Sequence, residues 1–244
     1  MGVNGMLELS HVSKHFGGLA AIHDVSFKIN EGEFTGLIGP NGSGKTTLFN
    51  VITGVLKPTS GRITFMGKEI TGLLPDQICH SGIARTFQIP KPFKSMNVLE
   101  NVKAGLLFGK KAGYSDGDIE EEAYKLMDLV GFKRDESITP NELNIIGLRR
   151  LELARALATK PRLLLLDEVM SGLTQPEILE ASSVLNKVRT QWGITIIWVE
   201  HIMGALMNLV ERAIILEHGE VLAEGKPSEV SKDSKVIEAY LGKE

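Results

Sequence analysis

Cysteine is nearly missing from this 244-residue sequence. Cys79 alone cannot form an internal disulfide and no Cys/His pair has zinc-like spacing, so a reducing, cytosolic compartment is expected. A basic excess is missing too. Against 27 Lys and Arg stand 30 Asp and Glu, and a net charge of -3 offers no overall positive field to nucleic acid or anionic lipid, so no nucleic-acid partner is expected. Long apolar runs are absent: Leu163 to Leu166 and Ile194 to Val199 fall far short of the roughly 20 residues of a spanning helix, and no leader is expected. Neither repeats nor low-complexity tracts occur, and 43% apolar with 23% charged residues excludes a disordered or fibrous chain. Aromatic residues make up only 6%, whereas glycine occurs 26 times. Such a surplus suits loops whose backbone turns sharply or approaches a ligand closely.

Val25, Phe27 and Ile29 alternate with polar residues, which predicts a strand with one buried face, closed by the turn Glu31-Gly32-Glu33. Phe34 to Ile38 reads as a strand running directly into Gly39-Pro40-Asn41-Gly42-Ser43-Gly44. Beyond it Leu48, Val51, Ile52 and Val55 fall at i, i+3, i+4 and i+7, the period of a helix with one apolar face. Arg62 to Met66 predicts a further strand after the turn at Lys57 to Gly61. From about 89 to 150 the strand signal fades. Ala123, Leu126, Met127 and Val130 predict a helix there, with Gly131 at its C-terminal cap. The runs 163–166, 194–199 and 213–216 suit strands covered on both faces, as in a parallel α/β sheet. One α/β domain with a helical insertion is the expected plan.

Residues 39 to 46 match G-x-x-x-x-G-K-[ST] in full, between a strand and a helix. Glycines let successive N–H groups converge on phosphate oxygens, and the helix that follows points its positive end at the same anion. Lys45 can reach the β- and γ-phosphates, and the Thr46 hydroxyl can ligate Mg²⁺. Asp167 closes four leucines at a strand end, where α/β sheets place ligand chemistry, and is a candidate for Mg²⁺ coordination. Glu168 can polarise a water aimed at the γ-phosphate. His201, just past the next apolar run, can hydrogen-bond a γ-phosphate oxygen.

With these residues in place the chain resembles, over essentially its whole length, the ATP-binding cassette family, the nucleotide-binding subunits of ABC transporters. The resemblance implies a P-loop α/β fold with a mixed, largely parallel sheet core, an N-terminal antiparallel β-subdomain and a helical subdomain inserted at about 89–160 of a single domain spanning 1–244. It implies that Phe16 stacks on adenine and that the phosphate-binding set runs from Gly39 to Thr47 through Pro40, Asn41, Gly42, Ser43, Gly44, Lys45 and Thr46. Gln88, within Ala84-Arg85-Thr86-Phe87-Gln88, matches the family's loop glutamine, which acts in catalysis and reaches the metal. Asp167-Glu168 resembles the metal-binding aspartate and catalytic glutamate, and His201 the switch histidine. Within the family, Arg85 to Gln88, Val199-Glu200-His201 and Val236 to Gly242 look most like subunits of branched-chain amino acid importers. Importers of urea, amides or aromatic acids share much of that pattern.

The departures matter. Where the family carries Leu-Ser-x-Gly-Gln, an ungapped count gives Leu143-Asn144-Ile145-Ile146-Gly147. Asn144 is expected to copy a small hydroxyl poorly, and Ile146 to crowd a backbone that approaches phosphate. A heterodimer with one degenerate site, an altered sequence, or a one-residue slip that restores Gly147 each accounts for this. Thr174 departs in Ser171-Gly172-Leu173-Thr174, and Val169 stands where the family has proline.

The resemblance further implies ATP and Mg²⁺ as cofactors, a head-to-tail second cassette, integral-membrane permease subunits, and indirectly a periplasmic or extracellular substrate-binding protein. It places the chain on the inner face of the membrane. Phe93, Met96, Leu99 and Phe108 are candidates for the docking groove. The rival readings are a non-transport cassette ATPase and a nucleotide-binding regulatory subunit with weak hydrolysis.

Overall fold

The computed structural model describes residues 5–109, 116–169, 173–200 and 209–241. The chain divides into two compact units, one formed by residues 1–78 with 195–244 and the other by residues 79–194.

The first unit holds two sets of strands. β1 (Leu7–Phe16), β2 (Leu19–Ile29), β4 (Ser60–Phe65) and β5 (Lys68–Glu69) form an antiparallel sheet in the order β2-β1-β4-β5. Val25, Phe27 and Ile29 are buried while Ser26 and Lys28 are exposed, so the period of two sets the inner face. β3 (Phe34–Ile38) lies between two parallel neighbours, β8 (Thr195–Glu200) and β9 (Arg212–Glu217). Every residue of β3 and β8 is buried, and burial on both faces explains why β8 reads as a continuous apolar run. Phe34 stacks on Trp198 with ring centroids 5.8 Å apart. β10 (Glu220–Gly225) returns antiparallel to β9.

The helix after β3, α1 (Lys45–Ile52), is shorter than its apolar period predicts. Thr53 caps it and Gly54, at φ +73, turns the chain where a Cβ would strike the Leu73 carbonyl at 2.3 Å, so Val55 leaves the helix and is exposed. The strand foreseen at 62–66 runs from Ser60 to Phe65, and Met66 turns out of it at φ +49. α2 (Pro75–Ser81) then leads out of this unit.

In the second unit β6 (Ile83–Arg85) pairs parallel with β7 (Leu163–Asp167). Both α2 and β6 lie where no such element was foreseen. Three residues are too few for a period to show in β6, and Cys79-His80-Ser81 lacks an apolar stripe. α3 (Val98–Gly109), α4 (Asp116–Leu129), α5 (Ile145–Ala158) and α6 (Gln175–Trp192) fill the rest. Ala123, Leu126, Met127 and Val130 are all buried, and Gly131, at φ +83, ends α4 with the Phe132 N–H reaching back to Met127 O at 2.9 Å. α3 and α5 pack closely because Gly105 faces Ala158: a Cβ at Gly105 would lie 2.7 Å from that of Ala158. Two short helices, α7 (Pro227–Val230) and α8 (Ser234–Leu241), follow β10. Among the described residues no helix is long and apolar enough to cross a membrane.

Candidate active site

The glycine loop is held by the elements beneath it. A Cβ at Gly39 would sit 2.1 Å from the Leu216 carbonyl and 2.5 Å from Ser43 Oγ. At Gly44, φ is +104 and a Cβ would meet the Ala21 carbonyl at 2.5 Å. The Gly219 N–H, from the turn between β9 and β10, donates to Ser43 O at 3.0 Å. The loop is thus wedged between β2 and the β9–β10 hairpin, and only glycine fits at both wedge points. Lys45 is buried, with its Nζ donating to Gly39 O at 2.7 Å and Pro40 O at 2.8 Å. Asn41, Gly42 and Thr46 are exposed, while Pro40, Gly44 and Thr47 are half-buried. A cation on the loop axis and a hydroxyl on the first helical turn are the groups a polyphosphate requires. Phe16, at the end of β1, leaves 47% of its surface exposed, with Lys14 Nζ 5.1 Å from the ring centroid.

In the second unit Asp167 ends β7, 2% exposed, with its Oδ2 2.7 Å from Arg85 Nη2. Its own N–H donates to Thr86 Oγ1 at 3.2 Å. Glu168 follows at φ +49, a left-handed conformation that costs a side-chain-bearing residue about 1 kcal/mol or more. That turn brings its Oε2 within 2.7 Å of Gln88 Nε2. The structure therefore joins Gln88, Glu168, Asp167 and Arg85 within one unit. His201 lies outside the described residues.

The segment Asn144 to Gly147 begins α5. Asn144 is the N-cap, and its Oδ1 accepts the Gly147 N–H at 2.9 Å. Asparagine and serine cap helices about equally well, so this substitution preserves the local bond. Ile146 turns inward and lines, with Leu153, Leu166, Leu173 and Leu185, an apolar cavity of about 60 Å³. Thr174 likewise caps α6 in a capping box with Glu177, its N–H donating to Glu177 Oε2 at 2.7 Å. Val169 O accepts from Arg149 Nη1 at 3.0 Å.

Of the docking candidates Phe93, Met96 and Phe108 are exposed, and Ile89 more so than Phe93 or Met96, whereas Leu99 is only 4% exposed and belongs to the core. Its place on the inner face of α3 decides this. Two residues near the Gln88 loop carried no local sequence signal of a role: Arg85, whose guanidinium lies 5.0 Å from the Phe87 ring centroid, and the fully buried Asn101, whose Nδ2 donates to Phe93 O, Met96 O and Asn97 O. A buried aspartate requires a buried cation, and that need was the available signal for Arg85.

This geometry defines a nucleotide-hydrolysing cassette, and the comparisons agree. The ABC transporter family model matches residues 22–171, and a branched-chain amino acid ATP-binding cassette transporter model matches residues 220–244. The chain belongs to the ABC transporter family and is an ATPase of that family. It is 34% identical to the high-affinity branched-chain amino acid transport ATP-binding proteins BraF of Pseudomonas aeruginosa and LivG of Escherichia coli K12, over 97% of this chain and 98% of each relative. Among solved structures it resembles the ADP conformation of the ATP-binding cassette MJ1267, with TM-score 0.88 and 33% identity over 98% of this chain and all of that one. A dimeric post-hydrolysis state of the cassette MJ0796 bound to ADP and Pi superimposes with TM-score 0.83 and 29% identity, covering 91% of this chain and 99% of that one.

Proposed function

We propose that the chain is the ATP-hydrolysing subunit of an importer for branched-chain amino acids, peripheral on the cytoplasmic face of the membrane. The match of residues 220–244 carries the substrate assignment. In this reading Phe16 stacks on adenine, the N–H groups of Gly42 to Thr47 and the Lys45 ammonium hold the β- and γ-phosphates, and His201 meets the γ-phosphate. Thr46, Asp167 and Gln88 offer hard oxygen donors, the chemistry Mg²⁺ requires. Bound there, Mg²⁺ neutralises charge on the phosphate oxygens. Glu168 orients water for in-line attack once Gln88 exchanges its bond to Glu168 for the nucleotide. A second cassette docks head-to-tail, each Asn144 to Gly147 segment facing its partner's phosphate loop. The ungapped reading of that segment is supported by the Asn144 cap. Phe87, Ile89, Phe93 and Met96 offer exposed apolar surface to permease subunits, which in turn receive substrate from a binding protein.

Glu168→Gln tests the mechanism: ATP binding is retained and hydrolysis falls at least roughly tenfold, whereas unchanged turnover removes Glu168 from it. Labelled leucine uptake into vesicles carrying the cassette with its permease tests the substrate, and uptake of urea in place of leucine reassigns it.

A further inference from the structure

From Gln88 to Phe93 the chain reads Gln-Ile-Pro-Lys-Pro-Phe. Pro90 and Pro92 fix φ at their own positions and keep Ile89 and Lys91 out of the helical region, so this stretch is a stiff strap. Its far end is held twice. The Phe93 N–H donates to Asn101 Oδ1 at 2.8 Å and the Phe93 C=O accepts from Asn101 Nδ2 at 3.0 Å, which shapes the turn into α3. Arg155, from α5, grips the strap from a different element: its Nη1 donates to Lys91 O at 2.6 Å, and its guanidinium lies 4.4 Å from the Phe93 ring centroid. The Lys91 ammonium in turn lies 5.3 Å from the ring centroid of Phe87, the neighbour of Gln88. Burial works against the Arg155 charge, and Glu152, one helical turn earlier and 7% exposed, answers it only in part, because burial pushes that carboxyl up to about 7. The guanidinium therefore takes its remaining partners from the strap.

We propose that Arg155 is a positioning residue for ATP hydrolysis: by bonding the Lys91 carbonyl and packing on the Phe93 ring it anchors to α5 the strap that presents Gln88 to Glu168. The proposal rests on the reading of Glu168 as the group that orients water. Gln88 Nε2 meets Glu168 Oε2 at 2.7 Å, and a stiff strap carries a displacement at Lys91 to Gln88, three residues away. Misplacement by about 1 Å can cost roughly 100-fold in rate. Arg155 acts on the reaction only through Gln88, so its loss should go unnoticed once Gln88 is gone.

The test is a double-mutant cycle on the full chain, with melting curves as the check of folding. Arg155→Met keeps an apolar stem and removes both the donor and the cation. It is expected to lower kcat about tenfold and to change ATP affinity less than about twofold, since none of these residues belongs to the phosphate loop. Arg155→Lys retains a donor for the carbonyl and a cation for the ring, and is expected to stay within about threefold of wild-type kcat. In a Gln88→Ala background, itself expected to lose at least about tenfold in kcat, Arg155→Met is expected to cost less than about twofold more. Losses that multiply, a Gln88→Ala variant with wild-type kcat, an Arg155→Lys variant no better than Arg155→Met, or a loss in Arg155→Met that arises from weaker ATP binding each overturn the proposal. Should Arg155→Met not fold, Arg155→Gln, whose shorter side chain falls short of the strap, takes its place in the cycle. Glu168→Gln serves as the control. Should that variant keep full turnover, the reading of Glu168 fails, and the cycle between Arg155 and Gln88 still decides whether Arg155 holds the strap.

Discussion

Arg85 Nη2 lies 2.7 Å from Asp167 Oδ2, with both side chains almost sealed from solvent. The same guanidinium lies 5.0 Å from the Phe87 ring centroid, so one residue spans the strand-end aspartate and the Gln88 loop.

Arg85→Ala removes that counter-charge from beside a buried carboxylate. A loss of about 3–5 kcal/mol is expected, which thermal denaturation registers as a fall of roughly 10 °C or more. Arg85→Lys restores only part of it, because an ammonium cannot reproduce the planar fork. A melting point within about 2 °C of wild type for Arg85→Ala counts against the pairing.

Gly39 and Gly42 separate crowding from backbone strain. In Gly39→Ala the new Cβ meets carbonyl oxygen at 2.1 Å, so the loop must shift, and ATP affinity measured by titration calorimetry is expected to fall more than about tenfold. Around Gly42 there is open space but φ is +82, so Gly42→Ala carries only left-handed backbone strain and should lower ATP affinity less than Gly39→Ala does. Reversal of that order contradicts the wedge between β2 and the β9–β10 hairpin.

The start of α5 makes a paired forecast. Asn144→Ser should leave stability nearly unchanged, whereas Asn144→Ala loses about 1 kcal/mol with the cap. Ile146→Gly should cost roughly 1–3 kcal/mol, since it opens the apolar cavity further and puts glycine in a first helical turn. Denaturant midpoints measure all three. A stabilised Ile146→Gly would mean that the isoleucine is strained there.

Glu152 gives a pH dependence with a definite sign. Its carboxyl titrates at about 7 in the folded chain, above the ordinary carboxylate range. The folded protein therefore holds this proton more tightly than the unfolded one, and the resulting stability is full at acidic pH and fades as pH rises through about 7. Glu152→Gln cannot ionise, so its melting temperature minus that of wild type should increase between about pH 5 and about pH 7 and level off above that. A difference that stays flat across that window would place the titration elsewhere.

Local chemistry made much of this molecule legible. The phosphate loop depends on closely spaced glycines between a strand and a helix, and each of those signals is contiguous in the chain. β7, β8 and β9 announced themselves because burial on both faces requires an unbroken apolar run. Arg85 did not, because it owes its place to Asp167, a residue distant in sequence. Leu99 misled for a related reason: an apolar residue near exposed aromatics has no sequence mark that tells the inner face of a helix from a groove. Asn144 and Ile146 depart from the family pattern, and the local roles they take in α5, one as a cap and the other as a packing contact, had no mark in that pattern.

The pairing of β3 with β8 and β9, and the Gly219 bond to Ser43, also govern how a nascent chain acquires its nucleotide loop. Ribosomes add about 5–20 residues per second, so roughly ten seconds or more separate emergence of the glycine loop from emergence of the hairpin that supports it. Residues 79–194 are contiguous and can pack during that interval, while β3 waits with its apolar faces uncovered. Nucleotide binding is therefore acquired late in synthesis, and the waiting strand is a natural point of contact for a chaperone.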